Sequence, residues 1–158
     1  MESCKFCQLI TGNRDGEEVI YENDNFIVLS DKYRRTSVGT ICLLIPKKHK
    51  ANLLELPKGI GQELIELLIL ISNAQQKAFN CKGVRIWTAV NKEAGQSIMH
   101  CHIHILPCNS LIDRLIAAIP GLYDIKRKIT HFGRNELEFN ENFELSEKIR
   151  KAINQSIS

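Results

Sequence analysis

No stretch of this chain is apolar for long enough to cross a membrane. The longest such run, residues 64–71, is eight residues and is interrupted by Glu66, whereas a bilayer needs about 20. The N-terminus, Met1-Glu2-Ser3-Cys4-Lys5-Phe6-Cys7, lacks a basic region followed by a long apolar one. No secretory signal is read there, and the expected location is the cytoplasm. Internal repeats and low-complexity tracts are missing too, and the composition excludes a collagen-like repeat or a disordered tail. An excess of one charge sign is also lacking. The 21 basic and 18 acidic side chains leave only +3, too little to argue for nucleic acid. The basic clusters Lys32, Arg34 and Arg35, then Lys47, Lys48 and Lys50, then Lys126, Arg127 and Lys128 read as solvated faces or, alternatively, as a modest positive field near an anionic substrate. What remains is ordinary globular composition: 158 residues, 44% apolar and 25% charged. That suits a single domain over residues 1–158, burying about 70% of the unfolded chain's surface. The one excess is six Cys and five His. In a reducing compartment such thiols are metal ligands, reactive groups or core residues rather than disulfides.

The pattern predicts strands over residues 18–21 and 26–29, joined by the turn Glu22-Asn23-Asp24-Asn25 as a hairpin. Residues 40–45 read as a continuous apolar strand stopped by Pro46. Residues 57–80 give the strongest helix, with Pro57 in the first turn and Ile60, Leu64, Leu67, Leu68, Ile71, Gln75 and Ala78 on one face. Its middle is apolar nearly all round, which predicts burial on more than one side, by a single large core or by a sheet and a second subunit. Strands are predicted over 84–90 and 97–106, the latter ended by Pro107. A short helix is expected over 111–118, and a terminal amphipathic helix over 145–153 with Leu145, Ile149, Ala152 and Ile153 inward. This order implies an α+β domain with a mainly antiparallel sheet, one long helix and a C-terminal helix.

The segment Gly95-Gln96-Ser97-Ile98-Met99-His100-Cys101-His102-Ile103-His104-Ile105-Leu106-Pro107 carries the most information. Alternation on a strand puts His100, His102 and His104 on one face and Met99, Cys101, Ile103 and Ile105 on an apolar one. A solvated strand face would more commonly use Lys, Glu or Thr. Neutral imidazoles can bind a metal, move a proton or attack an electrophile. The Gly95-Gln96-Ser97 turn could cradle phosphate oxygens, although such a tripeptide is also an ordinary turn. Cys4 and Cys7 have metal-ligand or redox spacing. A thioredoxin-like role is discounted, because the pair does not follow a strand. A closed tetrahedral zinc site needs two further ligands, and His49 and His100 are available.

His-Cys-His-Ile-His-Ile-Leu resembles the signature of the histidine triad superfamily, and Ala94-Gly95-Gln96-Ser97 is similar to that family's phosphate loop. Residues 26–31 and 39–49 also resemble the family, so the likeness covers about residues 4–107 and leaves 108–158 divergent. The resemblance implies a nucleotide-binding phosphohydrolase or nucleotidyl transferase, while the apolar middle of helix 57–80 is where a homodimer is expected to pair. Its partner would be a purine nucleotide or another nucleoside phosphate derivative, with no membrane or specific nucleic acid. His102 would attack the α-phosphorus to form a covalent nucleotidyl-histidine, which water or another acceptor resolves. His104 would hydrogen-bond the phosphate or bridging atom, and Gln96 and Ser97 would hold the non-bridging oxygens. Asp31 matches the ribose-gripping acid, Phe6 and Leu9 match apolar positions flanking the base, and Asn91 matches a binding position in a loop of variable length. Asp31 would otherwise accept turn N–H bonds at a strand end, and Phe6 and Leu9 would otherwise be core. One branch of the family binds structural zinc through residues matching Cys4, Cys7, His49 and His100. Nucleoside phosphoramidates and dinucleoside polyphosphates are the implied substrates. Two further readings stand beside this one: a metallohydrolase with catalytic metal on the His strand, and a non-catalytic nucleotide sensor or scaffold. Three alternate His span about 13 Å between the outer pair, which strains a single-ion site. Cys42, Cys81 and Cys101 read as core thiols. Cys108 and His131 are given no role.

Overall fold

The protein is described by a computed structural model over residues 4–12, 18–31, 38–110 and 139–157. Among these, α1 (Lys5–Ile10) precedes the hairpin of β1 (Val19–Glu22) and β2 (Phe26–Ser30), then β3 (Cys42–Pro46). The long helix α2 (Gly61–Phe79) follows, then β4 (Gly83–Trp87), β5 (Ile103–Cys108) and α3 (Phe139–Ile157). The five strands form one antiparallel sheet in the order β1-β2-β3-β5-β4. The expected α+β architecture, with one long helix and a C-terminal helix, is thus present. The 111–118 helix, His131, and the clusters at 32–35 and 126–128 lie outside the described residues.

The sheet is covered on both faces, and β2 shows why its sequence is unbroken apolar. Phe26 and Val28 join the core with Cys42, Leu44, Leu67, Ile71, Ala74, Ile103, Ile105, Ile149, Ala152 and Ile153. Ile27 and Leu29 face the other way, into a smaller core with Ile45, Phe6 and Leu9. Helices α2 and α3 thus cover one face and the short α1 part of the other. The hairpin turn is fixed by Asn23, whose Oδ1 accepts from the Asn25 and Phe26 N–H groups. Glu63 in the first turn of α2 accepts from the Asn23 and Asn25 amides at 2.8 and 2.7 Å.

The predicted helix 57–80 is α helix only from Gly61. Residues before it form tight turns at Leu53–Glu55 and Lys58–Ile60. Its C-terminus is capped by Asn80 in the left-handed region at φ 48°. The second covered side of α2 comes from the same chain, because α3 packs along it, while Ile65 and Ile69 stay 54% and 56% exposed. Gln75 is fully buried, and its amide donates to the Thr40 and Ile105 carbonyls at 3.0 Å each. It fastens α2 to the sheet by polar groups that would otherwise be costly to bury.

Several strand boundaries need correcting. Pro46 is the last residue of β3, opposite Phe26, and Pro107 lies inside β5, opposite Val84. Both stand where β3 and β5 have parted, their pairing running only from Cys42↔Ile105 to Leu44↔Ile103. A missing N–H there breaks no bond between the two. The strand expected over 97–106 begins only at Ile103. The backbone before it bends, the His100 N–H donating to the Ile98 carbonyl and the Cys101 N–H to the Lys50 carbonyl. Met99 accordingly leaves the core and is 37% exposed, while Cys101, Ile103 and Ile105 remain buried as expected. The terminal helix starts earlier than its apolar pattern because its inward face there carries the buried polar Asn142.

Candidate functional site

The backbone bend over residues 98–100 brings the chemistry together. His100 is fully buried, and its Nε2 lies 2.8 Å from the Pro46 carbonyl. A carbonyl only accepts, so Nε2 carries the proton and Nδ1 carries the lone pair. That Nδ1 is 3.5 Å from Cys4 Sγ and 3.6 Å from Cys7 Sγ, and His49 Nδ1 is 3.2 Å from Cys7 Sγ. The four candidate ligand atoms of Cys4, Cys7, His49 and His100 all lie within 4.8 Å of one another. Ligand atoms around tetrahedral zinc stand about 3.3–3.8 Å apart, so this donor set fits the ion. The carbonyl-anchored His100 also has the outer hydrogen bond typical of a ligating imidazole. Burial lowers the pKa of His100, which keeps its Nδ1 lone pair available, and burial together with neighbouring Cys4 raises that of the Cys7 thiol. The Cys7 thiol so placed resists ionising unless a cation joins it.

His102 is oriented by the same loop. Its Nδ1 is 2.7 Å from the His100 carbonyl. Nδ1 therefore holds the proton, and Nε2 is the basic nitrogen of the neutral ring. The His104 ring lies 5.1 Å from it, tilted by 69°. The Thr88 hydroxyl donates to the His102 carbonyl at 2.8 Å, fixing the backbone just before β5 starts. Phe6 sits at 5.8 Å from His100 and 5.3 Å from His102, ring centre to ring centre, so α1 contacts both histidines. His102 and His104 belong to no metal-ligand group among the described residues, which leaves the catalytic-metal reading without a cluster on the strand.

The loop before the histidines is held from inside. Gln96 is buried, and its amide donates to the Ala51 and Ile98 carbonyls while its Oε1 accepts from the Asn91 N–H at 2.9 Å. These bonds shape the turn, in which Asn91 at φ 67° and Gly95 at φ 90° adopt left-handed backbone. Ser97 is exposed beside it. Asn91 Oδ1 accepts from Asn52, a residue the sequence did not single out. Asp31 is buried at the end of β2, its N–H donating to the Ile41 carbonyl at 2.7 Å. Phe6 and Leu9 are both core residues of the smaller cluster, and Phe6 is in addition a ring neighbour of the histidines. Trp87 and Thr88 carried no sequence signal beyond strand propensity, yet both touch the triad.

Fold and site together define a histidine-triad type of α+β protein. The HIT domain family matches residues 14–111, and the chain belongs to that family. It is 36% identical over 104 residues to a HIT-like protein of Saccharolobus solfataricus, covering 66% of this chain and 73% of that one. An adenylylsulfatase of Arabidopsis thaliana is 33% identical over 104 residues, covering 66% of this chain and 51% of the relative. Among solved structures, a histidine triad nucleotide-binding protein of Sulfolobus tokodaii superposes with a TM-score of 0.76 at 29% identity. That match covers 96% of this chain and 93% of the other. The superfamily is one of nucleotide-binding hydrolases and transferases. No helix among the described residues is long and apolar enough to cross a membrane.

Proposed function

We propose that this chain is a cytoplasmic nucleotidyl transferase or phosphohydrolase acting on nucleoside phosphoramidates or dinucleoside polyphosphates. The observation that carries the reading is the 2.7 Å contact of His102 Nδ1 with the His100 carbonyl, which makes Nε2 the nucleophilic nitrogen. The Nε2 lone pair forms an N–P bond to the α-phosphorus of a purine nucleotide derivative. The bond from phosphorus to the leaving group breaks, and the leaving group keeps that electron pair. His104 hydrogen-bonds the bridging atom as charge develops there. Water then attacks the same phosphorus, the N–P bond breaks, and the nucleoside monophosphate leaves with Nε2 restored. Gln96 holds the loop and Ser97 offers a hydroxyl to the non-bridging oxygens. Asp31 grips the ribose, Asn91 lines the phosphate side, and Phe6 and Leu9 flank the base. Cys4, Cys7, His49 and His100 would hold a structural zinc ion that ties α1 to the sheet, with His100 reached through its Nδ1. Two copies would pair through the outer face of α2.

The test is a turnover panel of phosphoramidates and dinucleoside polyphosphates with His102→Ala as control. A nucleotidyl adduct on His102 in mass spectra of the trapped reaction is expected, and His102→Ala should lose at least ~10³-fold in kcat. An active protein with no adduct, and full activity in His102→Ala, would overturn the reading. Tight nucleotide binding without turnover would instead favour a sensor.

A further inference from the structure

Trp87 is the single tryptophan of the chain. It ends β4 and pairs directly with His104 across the β4–β5 ladder. Its indole lies flat on the His104 imidazole, ring centres 4.5 Å apart and planes only 8° from parallel. The Arg85 guanidinium, two residues earlier on the same strand face, stands 5.5 Å from the indole centre. An imidazole on a strand has a broad, roughly two-fold χ2 preference, so its backbone alone does not fix the plane of its ring. A coplanar stack does fix it, because rotating either ring would break the contact. With His102 held by the His100 carbonyl, the stack supplies the other half of the 69° tilt between His104 and His102. The next residue, Thr88, anchors the His102 carbonyl. One strand end thus controls the ring of one histidine and the backbone of the other.

We propose that Trp87 is a positioning residue that acts through His104, holding its ring in the plane that meets the leaving group. This rests on the proposed role of His104 at the bridging atom. The effect belongs to the bond-breaking step rather than to nucleotide binding, so it falls on kcat rather than KM.

The experiment compares Trp87→Leu and Trp87→Phe on an adenosine phosphoramidate and on a dinucleoside polyphosphate. Trp87→Leu should lower kcat roughly tenfold, as expected for a misplaced catalytic ring, with KM within about twofold, and Trp87→Phe, which keeps a stacking face, should recover most of that loss. A Trp87→Leu enzyme at full kcat, or a Trp87→Phe enzyme no better than Trp87→Leu, overturns the proposal. A second readout leaves β4 unchanged. In His104→Ala the indole loses its cover, and Trp87 emission should shift to longer wavelength. Unchanged emission shows that the rings do not stack in solution and overturns the proposal even if Trp87→Leu fails to fold. The two readings fail separately. Activity that survives His102→Ala removes the nucleophile assignment, whereas a full-rate Trp87→Leu in an enzyme that His102→Ala inactivates removes the role of Trp87.

Discussion

At the scale of single residues, the six thiols divide by environment. Cys42 is fully buried, and burial pushes its thiol up to about 12 from an ordinary 9.0. Burial pushes Cys101 up to about 11. Both should stay protonated and unreactive to iodoacetamide at pH 8.5, as mass mapping of the native protein can check. The unfolded Cys42 thiol ionises above pH 9 and the folded one does not, so stability is fully present below pH 9 and falls as pH rises toward 12. Denaturation midpoints at pH 8 and pH 10.5 measure that loss. The sequence placed Cys42 and Cys101 in the core because they sit in apolar strand positions. It found the Cys4, Cys7, His49 and His100 grouping from spacing and resemblance, and these four do converge. It could not find Trp87, because a tryptophan on a strand usually signals packing. Only the flat contact with His104 distinguishes it.

At the scale of elements, the informative failure is the run 97–106. Alternating His and apolar residues imitate a strand, yet the backbone forms one only from Ile103. The first half spends its N–H groups on Ile98 and Lys50 instead. The period of two still named the right residues, because they meet one site through a bend rather than along one face. Gly39, just before β3, lies against Phe79 at the end of α2. It has φ +62°, and an added Cβ would lie 2.4 Å from the Phe79 ring. Gly39→Ala should cost roughly 2–3 kcal/mol through overpacking and strained backbone, read as a lower urea midpoint. The short helix α1 has no side-chain cap at its N-terminus, and Cys4 and Cys7 are its potential anchors. Adding zinc to about 100 times its Kd should stabilise the metal-free protein by about 2.7 kcal/mol, or roughly 5–11 °C in Tm for a domain of this size. Cys4→Ala should abolish that increment in calorimetry.

At the scale of the whole molecule, α3 joins the far end of the chain to the site's margin. Arg150 donates to Glu18 at 2.7 Å and to the Val19 carbonyl at 2.9 Å, tying the helix to β1. The Ser30 hydroxyl, next to Asp31, donates to Asn142 on the same helix at 2.6 Å. The divergent C-terminal segment therefore braces the fold in its last part. Its polar inward residues explain why only 145–153 was legible as amphipathic. The exposed pair Ile65 and Ile69, one turn apart on α2, carries the prediction for assembly. Sedimentation of the native chain should give a dimer, and Ile65→Glu combined with Ile69→Glu should give a monomer with the same circular dichroism.

His100 acts on the site through two different parts of the residue. Its side chain points to the cysteines, but its main-chain oxygen is what holds the proton of His102 in place. That oxygen is present whichever amino acid occupies position 100. A complete substitution scan at this codon would thus record half of the residue's work and leave the other half silent. Only an alteration of the polypeptide linkage itself, such as an ester in place of the amide between His100 and Cys101, would weaken the acceptor that sets the tautomer of the neighbouring ring.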